Sequence, residues 1–373
     1  MSTKSLEYLT PRIALAQAKY IGPRYARLFL ERAGSVEALF AGPEQLRHLF
    51  PRVQERILRE LFRPELWREA QRIAQWCLDE GVELYFVGDE DYPARLRECV
   101  DAPVVLYVKG AYRSWDSSLS LSVVGTRNIT SYGQTMTDRL LRELQVIEPK
   151  TLVVSGLAYG VDISAHRKAL ELGMPTVAVL AHGFDRIYPA VHRATAMEIL
   201  LEGAWVSEYP PGTNPDRYNF VGRNRIIAGL TEATLIIEAG LKSGSLITAE
   251  LARDYDREVL VVPGRVGDRY SEGCNQLISQ MTGVLVCSGA DIARMMGWEQ
   301  RGEALQATLD FAPELRPIDN AIYELIARAQ PIQLNDIVRQ TGMTVAEVSA
   351  ELFELELDGH ICAMPGGVYA LSR

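Results

Sequence analysis

Apolar positions along the chain change their spacing twice. From residue 1 to about residue 80 they recur at helical intervals among many Arg and Leu, with almost no β-branched runs, which predicts a small all-helical domain. Within it, Ile21-Gly22-Pro23 leads into RYARLFLERAGSVEALF. That is the pattern of a helical hairpin, because Gly-Pro breaks one helix and starts the next while Gly34-Ser35 caps a third. Such hairpins either present loop N–H groups to DNA phosphates or serve as protein-packing modules, and the residues leave both open.

From Val82 the apolar residues gather into short, nearly continuous runs. VELYFVGD and VVLYVKG come first, then SLSVVG, TLVVSG, TVAVLAHG, AWVSEYP, ATLIIEAG, EVLVVPG and GVLVCSG. These are strands covered on both faces. Helical segments such as Asp162 to Leu172 and Ser245 to Tyr255 follow most of them, so residues 81–298 are expected to form a doubly wound α/β domain with a mostly parallel sheet and right-handed crossovers. Ligands bind such sheets outside the carboxyl ends of the strands. The candidate positions there are Arg127, Ser155-Gly156, Gly160, His182-Gly183, Glu208, Glu238-Ala239-Gly240 and Gly264.

Residues 299–318 lose the pattern and hold Gly302, Pro313 and Pro317, which suits a linker. In 319–373 three helical segments, Asn320 to Ala329, Leu334 to Gln340 and Val345 to Leu357, precede two short strands around Pro365-Gly366-Gly367, an order resembling a winged helix.

Composition narrows the chemistry. The chain has 373 residues, enough for two or three domains, and a net charge of −9, so any nucleic-acid contact must be a local cationic surface. No apolar run is long enough to cross a membrane and the N-terminus lacks a secretory pattern, so a cytoplasmic protein is expected. The five cysteines have no C-x-x-C spacing and read as buried thiols.

Three stretches carry candidate chemistry. In SLSVVGTRNITSYG (Ser120 to Gly133) an apolar run ends in Gly125-Thr126-Arg127 and a polar segment starts a helix. Gly125 permits a tight turn, Thr126, Asn128, Thr130 and Ser131 offer hydroxyls, an amide and helix N-terminal N–H groups, and Arg127 stands in the middle as a phosphate clamp. NFVGRNRIIAG (Asn219 to Gly229) brings Arg223 and Arg225 together with Phe220, cations for phosphates and a ring for a base. An arginine pair salt-bridged to Glu208 or Glu238 fits the same spacing. Lys242-Ser243-Gly244-Ser245 repeats the small-residue, hydroxyl and cation logic ahead of a helix.

Catalytic signatures are weaker. The G-x-x-x-x-G-K-S/T order is absent, and SGLAYG has the wrong spacing for a dinucleotide turn. Asp162 and His166 share a helix face at i and i+4, but Asp162 is more simply a cap and no third metal ligand is spaced for them. His182 and His192 read as structural or solvated. Nearby arginines would hold Glu208 and Glu238 below the range of a general acid. No catalytic residue, metal or cofactor is assigned. Residues 319–373 hold eight acids against three arginines, and the segment TVAEVSAELFELELDGH has four glutamates and no Lys or Arg. Phosphate would repel it, so this winged helix is expected to serve protein contacts or packing rather than duplex reading.

The motifs VVGTRNITSYG, VVSGLAYGVDISAH, GRNRIIAGL, EAGLKSGSLITAELA and VPG…GCNQLI, in that order, resemble the DNA-processing protein A family, also called Smf. The resemblance spans about residues 80–297, and the helical front (1–80, helix-hairpin-helix or SAM-like) and winged-helix tail fit the family's accessory domains. It implies a Rossmann-like core that binds single-stranded DNA and, as a homodimer, helps load the recombinase RecA onto strands imported during natural transformation, without enzymatic activity. Carried over, the phosphate pocket is Gly125, Thr126 and Arg127, Ser155 and Gly156, Arg223, Asn224 and Arg225, and Lys242, Ser243, Gly244 and Ser245, with Phe220 at a base-stacking position. Where many relatives have proline after that phenylalanine, Val221-Gly222 stands here. The alternative is a nucleoside 5'-monophosphate ribohydrolase of the Lonely Guy type, a related fold. Its P-G-G-x-G-T-x-x-E is missing, so Glu250 of EAGLKSGSLITAE would have to serve.

Overall fold

The nine apolar runs become nine strands of one sheet: β1 (Glu83–Phe86), β2 (Val105–Gly110), β3 (Ser120–Val124), β4 (Leu152–Ser155), β5 (Thr176–Val179), β6 (Ala204–Ser207), β7 (Ala233–Ile236), β8 (Glu258–Val261) and β9 (Val284–Leu285). The computed structural model describes residues 4–116, 119–298, 321–329, 331–357, 360–364 and 367–371. Strand order is β1-β2-β6-β5-β4-β3-β7-β8-β9. The seven strands from β6 to β9 pair in parallel, and β1 and β2 add an antiparallel edge.

The helical front comprises α1 (Leu6–Gln17), α2 (Pro23–Ala33), α3 (Val36–Leu39), α4 (Pro43–Leu49), α5 (Glu55–Leu61) and α6 (Pro64–Asp79). Proline opens α2, α4 and α6, where its missing N–H has no partner to lose. Gly34 ends α2 in left-handed backbone at φ 78°, and the Ser35 hydroxyl accepts the Ala38 N–H at 3.1 Å to cap α3. These helices share one core with the sheet, where Leu9, Ile13 and Leu15 join Leu84, Leu106 and Val108.

Further helices are α7 (Ala94–Glu98), α8 (Ser131–Ile147), α9 (Val161–Glu171), α10 (Arg193–Glu202), α11 (Arg217–Leu230), α12 (Gly244–Asp254), α13 (Glu272–Ser279) and α14 (Gly289–Met295). Alternate strand residues sort them into layers. Leu121, Val123 and Val153 face α8, α9 and α14, whereas Val124, Val154 and Ile236 face α11, α12 and the helical front. Thus β3 leads to a helix on one face and its neighbour β7 to a helix on the other. The crevice between their carboxyl ends is the switch point where such sheets hold ligands.

The chain divides into two units, the first ending at Glu303 and the second beginning at Ala304. The second holds α15 (Ala321–Arg328), α16 (Leu334–Thr341), α17 (Val345–Leu357) and the strands β10 (Ile332–Gln333), β11 (Ile361–Met364) and β12 (Val368–Leu371), around Ile322, Ile326, Ile337, Val348 and Leu352. Its antiparallel order is β10-β12-β11. The two-residue β10 is too short to show a period, and sequence reading missed it. The linker expected at 299–318 lies outside the described residues.

Two cysteines correct the expectation of buried thiols. Cys77, Cys99 and Cys274 are buried, but Cys287 and Cys362 are exposed. Cys287 follows β9, an edge strand of two residues that is covered far less than its apolar run predicts. Cys362 is on edge strand β11, where period-two alternation turns it outward from buried Ile361.

Candidate nucleic-acid interface

At the carboxyl ends of β3 and β7 lies an open cavity of about 720 Å³, lined from the β3–α8 loop, α11 and the β7–α12 loop. Gly125, Thr126 and Arg127 border it on one side, Lys242, Ser243, Gly244 and Ser245 on another, and Phe220, Arg223 and Asn224 project from α11. The expected stretches do converge.

Arg223 is the centre of the arrangement. It is 3% exposed, yet its Nε and Nη1 have no hydrogen-bond acceptor among the described residues. Burial pulls it below the ordinary arginine range, Arg127 adds to that, and Asp162 opposes it. Beside it, the Cζ of Arg127 stands 5.0 Å from the Phe220 ring centroid, and that of Arg223 5.8 Å. Tyr188 packs on the same ring at 5.8 Å between centroids. Phe220 is therefore held between two guanidinium groups and a second ring. The Nδ2 of Asn224 donates to the Gly244 carbonyl at 3.4 Å, tying α11 to the β7–α12 loop, and the Ser243 and Ser245 hydroxyls bond each other at 2.7 Å.

The backbone cradles differ from expectation, because the protein's own carboxylates fill them. Glu238, at the end of β7, accepts the Thr130 N–H at 2.9 Å and the Thr130 hydroxyl at 2.6 Å, so the negative group at the α8 N-terminus is internal. The Thr126 N–H donates to the Glu238 carbonyl at 2.7 Å and the Asn128 N–H to the Thr126 hydroxyl at 3.1 Å. At β4, Asp162 accepts the Gly156 N–H at 3.2 Å and the Ala158 N–H at 3.4 Å. Ser155 is fully buried and its hydroxyl donates to the Val123 carbonyl at 2.6 Å. Ser155 and the Gly156 N–H are thus spent on the fold. Gly156 instead provides room, since a Cβ there would meet Arg223 Nη1 at 1.3 Å.

Arg225 is the clearest departure. Consecutive helix positions turn by about 100°, so residues two apart point to nearly opposite faces. Arg223 enters the cavity, whereas Arg225 is turned away and forms an ion pair with Glu208. The salt-bridge reading therefore holds for Arg225 and Glu208 and fails for Arg223. Burial outweighs the arginine and holds the Glu208 carboxyl above its usual range, contrary to the depression expected.

Among the lining residues not proposed from the sequence are Arg217 and Tyr188, together with the acids Asp162 and Asp216. Arg217, Phe220 and Asn224 recur at i, i+3 and i+7, so helical spacing from Phe220 was a usable signal for Arg217. Tyr188 reaches the site through tertiary packing, which no local pattern marks.

The catalytic alternatives are dispersed. Glu250 is exposed on α12 and does not line the cavity. His166 is fully buried, its Nδ1 2.7 Å from the Thr176 hydroxyl, and burial pushes it down to about 3, so it stays neutral. His182 and His192 are buried, each within 2.9 Å of a backbone carbonyl, of Gly183 and Leu157 respectively. Among the described residues no three His, Cys, Asp or Glu side chains cluster as metal ligands, and no helix is long and apolar enough to cross a membrane.

Fold and site together define a doubly wound α/β protein with a cationic pocket at its strand switch point. Residues 83–297 match the family model of DNA recombination-mediator protein A, and residues 307–367 match that of the DprA winged helix domain. The chain belongs to the DNA recombination-mediator protein A family. It is 36% identical over 303 residues to protein Smf of Escherichia coli, covering 80% of each chain. It is 39% identical over 208 residues to the DNA processing protein DprA of Streptococcus pneumoniae, covering 56% of this chain and 72% of that one. The solved structure of the Streptococcus pneumoniae protein superposes with a TM-score of 0.57 at 31% identity, covering 73% of this chain and 97% of that one. DNA processing protein A of Helicobacter pylori, solved for its unique single-stranded DNA binding mode, gives a TM-score of 0.52 at 30% identity, covering 58% and 95%.

Proposed function

We propose that this chain binds single-stranded DNA at the strand-switch cavity, with little regard to base identity and without catalysing a reaction. In this role it passes protected strands to a RecA recombinase as a cytoplasmic homodimer during natural transformation. The observation that carries the reading is Arg223, a buried guanidinium whose Nε and Nη1 lack acceptors among the described residues at the edge of a solvent-open cavity. An unpaired buried cation is costly, and a phosphodiester oxygen supplies both the charge and the acceptors it lacks. Arg127, Arg217 and Lys242 line the same cavity and serve neighbouring phosphates, while Phe220 offers a ring near the bases. The single-strand binding mode of the Helicobacter pylori relative supports the same ligand, and the family's description supports a mediator role in recombination.

A gel-shift titration with single- and double-stranded oligonucleotides of equal length, at two salt concentrations, tests the binding. Single strands are expected to bind more tightly, with Arg223→Gln abolishing most of the difference. Equal affinity of Arg223→Gln and wild type overturns the assignment. RecA filament formation on strands precoated with single-strand-binding protein, with and without this chain, tests the mediator role.

A further inference from the structure

The helical front carries a second cationic surface that the strand-switch cavity does not use. A groove of about 470 Å³ opens between the α1–α2 turn, α2 and the segment from Phe50 to Ile57. Arg32, Arg52 and Arg56 line it, and none of its described lining residues is acidic. Several other arginines of this domain are paired with acids: Arg47 with Glu44 and Glu55, Arg68 with Glu65 and Arg72 with Glu69. In the groove, aromatic rings take the acids' place. Arg56 Cζ stands 5.0 Å from the Tyr20 ring centroid and Arg32 Cζ 5.3 Å from that of Phe50. Tyr20 and Tyr25 are 59% and 58% exposed. Tyr20 also holds left-handed backbone at φ 69°, a conformation bulky side chains seldom adopt.

Three arginines without carboxylate partners among the described residues call for a polyanion. Two open tyrosine rings call for flat apolar faces, which unpaired bases offer and a stacked duplex hides. We propose that this groove is a second contact surface for single-stranded DNA, its arginines following the phosphates and Tyr20 and Tyr25 stacking on bases. The proposal shares its ligand with the reading of the Arg223 cavity and otherwise stands on separate residues.

Fluorescence anisotropy of the full chain with a short and a long labelled oligo-dT tests it. The exposed-site variants are Tyr20→Ala with Tyr25→Ala, and Arg32→Gln with Arg52→Gln and Arg56→Gln. The tyrosine variant is expected to weaken long oligo-dT at least about fivefold for each stacking ring removed. The arginine variant is expected to lower the salt slope on long oligo-dT by about 0.7 for each phosphate no longer neutralised. Short oligo-dT, held by the cavity alone, keeps its affinity in both. Wild-type affinity and slope on long oligo-dT in both variants overturns the proposal, as does a loss confined to duplex DNA. Arg223→Gln, measured alongside, separates the two surfaces: failure of the cavity reading appears as unchanged short oligo-dT binding in that variant alone.

Discussion

The guanidinium of Arg223 occupies the volume that a side chain at residue 156 would need. A Cβ built on Gly156 lies 1.3 Å from Nη1 and 2.3 Å from Cζ, so glycine at the end of β4 is what lets the arginine stay buried beside the cavity. Gly156→Ala is expected to displace Arg223 and to cost about 1–3 kcal/mol of stability through overpacking. Its single-strand affinity should fall as far as that of Arg223→Gln. Anisotropy titrations of both variants, with urea melts alongside, check this, and wild-type affinity in Gly156→Ala would show that the arginine does not need that space.

Arg127 and Arg225 are expected to separate binding from stability. Arg127→Ala removes an exposed cation over Phe220 and should lower the salt slope of single-strand binding by about 0.7, with little change in unfolding. Arg225→Ala leaves Glu208 in a largely buried site without its partner, for a stability loss of about 3 kcal/mol and an unchanged slope. Salt titrations and denaturant midpoints on the same two variants distinguish these outcomes.

Glu238 couples the end of β7 to the start of α8. Glu238→Ala withdraws the acceptor from the Thr130 N–H and hydroxyl, and a loss of about 1–2 kcal/mol is expected, the size of a helix cap. Hydrogen exchange should localise the loosening to the first turn of α8. Uniform protection across that turn in the variant would assign the capping elsewhere.

His166 sets part of the acid limb of stability. Its folded value, about 3, lies below the ordinary 6.5, so the unfolded chain binds the extra proton. Stability contributed by the neutral ring is complete above about pH 6.5 and is lost as pH falls toward 3, at up to about 1.4 kcal/mol per unit. His166→Gln should therefore flatten the dependence of the urea midpoint on pH within that window. An identical slope in variant and wild type would remove His166 as its source.

The strands were legible because β3 to β8 lie inside the sheet with both faces covered, which demands the unbroken apolar runs from SLSVVG to EVLVVPG. Turn residues such as Gly22-Pro23 and Gly34-Ser35 were legible for a similar reason, since their backbone requirements are local. Alternation of strand and helix also pointed to the sheet's carboxyl edge, where the cavity lies, because the crossover rule ties chain order to that edge.

What the chain order could not decide was which polar groups would be spent within the protein. Glu238 reaches Thr130 across 108 positions, and Asp162 fills the amide cradle beside Gly156, so two apparent anion sites are already satisfied. Arg223 and Arg225 look equivalent along the sequence, but a helix turns them to opposite faces, one against Glu208 and one toward the cavity. Motif order and apolar spacing determine which strand ends border the cavity, because they depend on neighbouring residues. The identity of the unpaired cation is decided only by tertiary packing, because it depends on which carboxylates the folded chain brings within reach.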